Sequence, residues 1–139
     1  MIETVVSVLS DIQVANGYNT DAGLNVTKEP AQVPSEANGP VLAVVMDTLQ
    51  PGSPAGGTTT RNQVIVIFAK IAGNDEIAQL NLHALIDDVE QAMAKKAVPY
   101  PPQTTRPKFL SAQNIAAADG LDWVGAEIRY TGGYIPVTR

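Results

Sequence analysis

Val64-Ile65-Val66-Ile67-Phe68-Ala69, followed after Gly73-Asn74 by an amphipathic run from Asp75 to Lys96, is the stretch that decides the fold. Consecutive apolar residues rich in β-branched side chains predict a strand buried on both faces, and such a strand belongs in the middle of a sheet. Asn74 is a good N-cap for a helix starting at Asp75. The run beyond it carries Ile77, Leu80, Ala84, Leu85, Val89, Ala92 and Met93, which helical spacing gathers into one stripe. Asp75 and Glu76 open this helix and Lys95 and Lys96 close it, so both ends complement its dipole. Burying the stripe on the sheet stabilises the helix more than propensity does.

On the N-terminal side, Ile2, Val5, Val6, Leu9 and Ile12 share one helical face. Glu3 sits in the first turn, and Asn16-Gly17 is the expected stop. Leu24 and Val26, reaching toward Lys28, form a short alternating strand. Pro30, Pro34 and Pro40 punctuate an irregular segment. Between Pro40 and Asp47, Val41-Leu42-Ala43-Val44-Val45-Met46 is a second buried strand.

On the C-terminal side, residues 97–108 contain Pro99, Pro101, Pro102 and Pro107, which forbid a helix and leave an extended connector. Residues 109–118 then run to Asp119-Gly120, a tight-turn dipeptide, and residues 121–130 return as the second arm of a hairpin. On the returning strand Val124, Ala126, Ile128 and Tyr130 are expected on the core face, and Trp123, Gly125, Glu127 and Arg129 on the other. Gly132-Gly133 is expected to end it. The predicted order is α-β-β-β-α-β-β, an α+β fold of two helices and about five strands. The 139 residues fit one domain.

Composition narrows the function. The net charge is −5 and the isoelectric point about 4.6, which suits neither a phosphate-gripping surface nor a basic groove. An acidic wall still lets a polyanion slide past without holding it. The absence of cysteine excludes disulfides, thiolate metal sites and a thiol nucleophile. The opening MIETVVSVLSDIQ is acidic and lacks the basic start and long apolar run of a signal peptide. No stretch approaches the roughly 18 apolar residues that span a bilayer, so no membrane partner is expected. Only 17% of residues are charged, and a surface poor in charge suits contact with other chains.

A search for chemistry finds little. His83 is the single histidine, and a lone helical histidine reads as a surface or boundary residue. Zinc would need three more ligands, all oxygens. In Asp87-Asp88-x-Glu90 helical spacing puts Asp87 and Glu90 on one face and turns Asp88 away, so the cluster reads as a solvated helix face rather than a metal site. No G-x-S-x-G, phosphate loop or dinucleotide fingerprint occurs. No catalytic, cofactor or metal residues are expected. A small enzyme using Asp87, Glu90 and His83 is the alternative from a different class.

Two neutral Pro/Gly-rich excursions remain, at about residues 48–60 and 97–108. The first holds two prolines, three glycines and three threonines after Leu49. Structureless loops of that length are functional, mobile or both. Its residues Leu49, Gln50, Pro51, Gly52, Ser53, Pro54, Thr58, Thr59, Thr60 and Arg61 are the candidate interface toward other subunits or a tail. A passive hairpin tip is the plain alternative.

Three stretches carry a family resemblance. They are the opening helix with Asn16-Gly17-Tyr18; the apolar strand with the helix bearing Leu85-Ile86-Asp87-Asp88-Val89-Glu90-Gln91-Ala92; and the closing Asp119-Gly120-x-x-Trp123-x-x-Ala126-x-x-x-Tyr130. In order and spacing the chain resembles the tail terminator (tail completion) subunits of long-tailed bacteriophages. The resemblance implies a mixed, mostly antiparallel sheet with both helices packed on one face, assembled into a hexameric ring. Such rings cap the head-proximal end of the tail tube, end its polymerisation and dock the head connector, while viral DNA passes through the lumen without specific binding. It further implies a virion protein of the tail neck, assembled in the host bacterial cytoplasm, with no cofactor. A different neck, head-completion or tail-assembly protein is the related alternative.

Overall fold

A computed structural model describes residues 2–27, 41–51, 61–73, 76–95, 107–116 and 123–134. They form helix α1 (Ile2–Ser10), strands β1 (Val26–Thr27), β2 (Val41–Pro51) and β3 (Arg61–Ala72), helix α2 (Glu76–Met93), and strands β4 (Lys108–Ala116) and β5 (Trp123–Tyr134). Two 3-10 turns, Val14–Asn16 and Ala22–Asn25, come after α1. The strands make one sheet of order β1-β2-β3-β5-β4. Strand β1 runs parallel to β2 and every other pair is antiparallel. This is the mixed, mostly antiparallel α+β arrangement expected, in the expected order.

The central position of β3 reflects its composition. Ile65, Ile67, Ala69 and Ile71 face the helices; Val64 and Val66, on the other face, are also buried. Ladder pairing puts Leu42, Ala69 and Ala126 in one row, and Val44, Ile67 and Ile128 in the next. Onto these rows α1 packs Val5, Val8 and Leu9, the turn after it Ile12, and α2 Leu82, Leu85, Val89 and Met93. Each such large aliphatic contributes about 1.5–3 kcal/mol on full burial. Val124, Ala126, Ile128 and Tyr130 are the core face of β5, as the alternation predicts.

Several boundaries differ from the sequence expectation. The stop at Asn16-Gly17 does not end α1, which closes at Ser10; Gly17, at φ 92°, ends the first 3-10 turn instead. Leu24 sits in the second 3-10 turn and is exposed, so the first strand is two residues long. Gly132-Gly133 does not stop β5, because Gln63 and Asn62 of β3 pair with it there. Strand β2 runs on through Pro51, past an irregularity between Met46 and Thr48. The proposed cap Asn74, the Asp119-Gly120 turn and Lys96 lie outside the described residues.

The stripe of α2 is also rotated. Ala78, Leu82, Leu85, Asp88, Val89, Ala92 and Met93 are its buried residues, whereas Ile77 and Leu80 are 67% and 62% exposed. A helix with apolar residues on more than one flank does not declare which flank the sheet covers. Here the sheet lies under Leu82, Leu85 and Val89.

Candidate functional site

The predicted interface segment is built on the β2–β3 hairpin. Leu49, Gln50 and Pro51 are the end of β2, paired in the ladder with Gln63, Asn62 and Arg61. Arg61 is flanked on its other side by Tyr134 of β5. The loop expected from about residue 48 is therefore shorter, because strand pairing continues to Pro51 and resumes at Arg61. Gly52, Ser53, Pro54, Thr58, Thr59 and Thr60 lie outside the described residues. So does most of the proline connector: Pro107 is buried, and β4 begins at Lys108, the residue expected to close the loop.

The residues of the enzymatic alternative lie on α2. His83, Asp87 and Glu90 are exposed, with Asp88 turned inward from them. Among the described residues no group of three or more histidine or carboxylate side chains is placed to hold a metal. No described helix is long and apolar enough to cross a membrane.

Asp88 departs from the solvated-face expectation. It is fully buried, and its carboxylate accepts three hydrogen bonds from the segment after α1. The backbone N–H of Asn19 donates at 2.9 Å, that of Thr20 at 2.9 Å, and the Thr20 hydroxyl at 2.8 Å. A buried charge is tolerable when its lone pairs are satisfied in this way. The sequence did hold a signal for it. Asp88 lies three residues after Leu85 and four before Ala92, on the stripe that proves to be buried.

Beside this latch, the Lys95 ammonium lies 5.0 Å from the centroid of the buried Tyr18 ring. The Tyr18 hydroxyl beside it raises the ammonium's pKa above the ordinary lysine value, although no hydrogen bond of ordinary geometry reaches that hydroxyl. Further along the same segment, Gly23 passes so close to the end of α1 that an added Cβ would lie 2.7 Å from the Ile12 carbonyl oxygen, and closer still to that of Ser10. Nothing in the sequence marks that glycine. Together these contacts fix the segment joining α1 to β1 against α2.

The face of the sheet away from the helices has polar and charged groups on β5. Arg129 donates to Glu127 at 3.1 Å. Lys70 stands 4.8 Å from the centroid of a Trp123 ring. That ring lies over Gly125, where a Cβ would come within 2.8 Å of it.

At the outer edge of the sheet, residues 108–114 of β4 are exposed on both faces, Phe109 at 51% and Leu110 at 53%. Phe109 meets the Tyr130 ring edge-on, 5.8 Å between centroids. Pairing with β5 skips Leu110, a bulge that lets the strand twist. Among the described residues no strand lies beyond β4.

In its fold, the chain is similar to a chain from the virion of a native gene transfer agent particle. The two are 12% identical and superpose with a TM-score of 0.68 over 98% of this chain and 95% of the other. At that identity the likeness is one of fold. No family model and no curated protein matches the sequence.

Proposed function

We propose that this chain is a structural protein of a phage or phage-derived particle, and within it a tail terminator. In that role it forms a ring, most simply a hexamer, on the head-proximal end of the tail tube. It ends tube polymerisation and presents the docking surface for the head connector. The observation that carries the proposal is the whole-chain likeness in fold to a chain of a virion. The terminator assignment adds the sequence resemblance to it. Exposed positions for His83, Asp87 and Glu90, with Asp88 engaged in the fold, favour this role over carboxylate chemistry. The acidic balance suits a lumen through which DNA slides without being held. A head-to-tail ring requires two different complementary surfaces on each subunit. The end of the β2–β3 hairpin and the outer edge of β4 are two different regions from which to supply them.

The experiment is deletion of the gene from its phage or particle, read by electron microscopy. Loss of a terminator gives overlong tails lacking heads. Full-length tails beside unjoined heads would instead assign a head-completion role and end the terminator proposal. Imaging of the purified protein supplies the ring and its symmetry.

A further inference from the structure

We propose that the outer edge of β4 seats a neighbouring copy of this chain, which adds an extended segment to the sheet in a head-to-tail contact. The head-to-tail sense rests on the ring proposed above; the strand pairing does not.

The chemistry of the edge specifies an extended polypeptide. A strand paired on one side only leaves alternate N–H and C=O groups pointing outward, and their natural complement is another strand. Monomeric proteins blunt such edges with short strands, prolines, bulges or inward charges. At the opposite edge of the sheet β1 has two residues among those described. Strand β4 has nine. Its first part carries a charge, Lys108, and the bulge at Leu110. From Ser111 to Ala116 there is no charge, proline, glycine or bulge. Among the described residues, that stretch is the unprotected part of the edge.

The charge distribution points to a second copy as the occupant. Two copies each carrying −5 repel, so they approach best where acids are sparse. Among the described residues, the exposed acids are Glu3, Asp11, Asp21, Glu76, Asp87 and Glu90, all in the helical layer and its turns. The single ionisable residue of β4 is the exposed Lys108, and on β5 Glu127, opposite Gln113, is already matched by Arg129. An acidic neighbour is therefore admitted at β4 and opposed at the helices. Phe109 and Leu110 supply apolar area at the same place.

The test uses the full chain and two adjacent proline variants, Ala112→Pro and Gln113→Pro. Successive N–H groups of a strand point to opposite edges, so one substitution removes an outward donor and the other a donor of the β5 ladder. Self-association is followed by sedimentation velocity and native mass spectrometry, and folding by thermal unfolding. The expected result is one variant with an unfolding midpoint close to that of the parent and self-association weakened roughly tenfold or more, the loss of at least ~1.4 kcal/mol. The double variant Ala112→Asp/Asn114→Asp, at two exposed positions, adds charge of the neighbour's own sign and is expected to weaken association likewise without touching the ladder, and it decides the matter if both prolines unfold. A monomeric parent at high concentration, or folded variants that associate as the parent does, would overturn the proposal. Failure of the terminator role appears separately, as normal tail length in the deletion strain while the β4 variants still dissociate the purified protein.

Discussion

Replacing Asp88 by alanine is the sharpest test of how the helical layer is held together. The carboxylate is fully buried and is the common acceptor for Asn19 N–H, Thr20 N–H and Thr20 Oγ1. Hydrogen bonds to a charged group are worth about 1.5–3 kcal/mol each, and a buried donor left without its acceptor costs about 1–3 kcal/mol. Two considerations lower the sum. Asn19 is exposed and Thr20 half-buried, so water can reach the donors once the carboxylate is gone. Removing a buried charge also recovers its desolvation cost. The expected net loss is ~2–4 kcal/mol. For a chain of this size that corresponds to a fall in Tm of roughly 6–16 °C. Asp88→Asn keeps one acceptor oxygen but turns an amide donor toward the others, and should cost about 1–3 kcal/mol. The control is Asp87→Ala, one residue away and exposed, which should stay within about 0.5 kcal/mol of the parent. Urea unfolding measures all three, with an unchanged m-value showing that the same surface is exposed on unfolding. If Asp88→Ala and Asp87→Ala shift the midpoint equally, the buried-latch reasoning is wrong.

Further perturbations probe other elements. Ile67→Ala, in the buried middle of β3, should destabilise by ~2–5 kcal/mol in the same assay; a loss under about 1 kcal/mol would contradict a central strand. Gly23→Ala should be costly, because the added Cβ meets the backbone carbonyls of Ser10 and Ile12 and overpacking costs about 1–3 kcal/mol or more. A parent-like midpoint would show that the turn can shift. Deleting residues 52–57, which spares the Pro51–Arg61 pair, should leave the unfolding midpoint of the monomer close to that of the parent and impair ring formation or tail joining. Unchanged assembly would make the end of the hairpin passive.

The departures from local pattern share one physical origin. Ile77 and Leu80 read as core because apolar spacing reports only that residues share a flank, not which flank a sheet covers. Asp88 read as solvated because two exposed acids, Asp87 and Glu90, stand beside it. Leu49, Gln50 and Pro51 read as loop because glycine and proline crowd the residues after them, yet β3 supplies them a ladder. For the same reason Gly132-Gly133 continues a strand. In each case a partner distant in sequence overrode a local signal.

Local composition by itself determined the architecture. Two-sided apolarity put β3 in the centre, alternation fixed the inward face of β5, and dipole-matched termini marked α2. These properties depend on neighbouring residues and on the universal cost of exposing apolar area. Tertiary structure alone decided which groups Asp88 holds, which glycine must be a glycine, and that β4 is, among the described residues, an edge exposed on both faces. The residues of β4 look as strand-like as those of β2. A strand of mixed composition such as β4 does not declare its place, because how many strands pair with it is settled only when the whole sheet has formed.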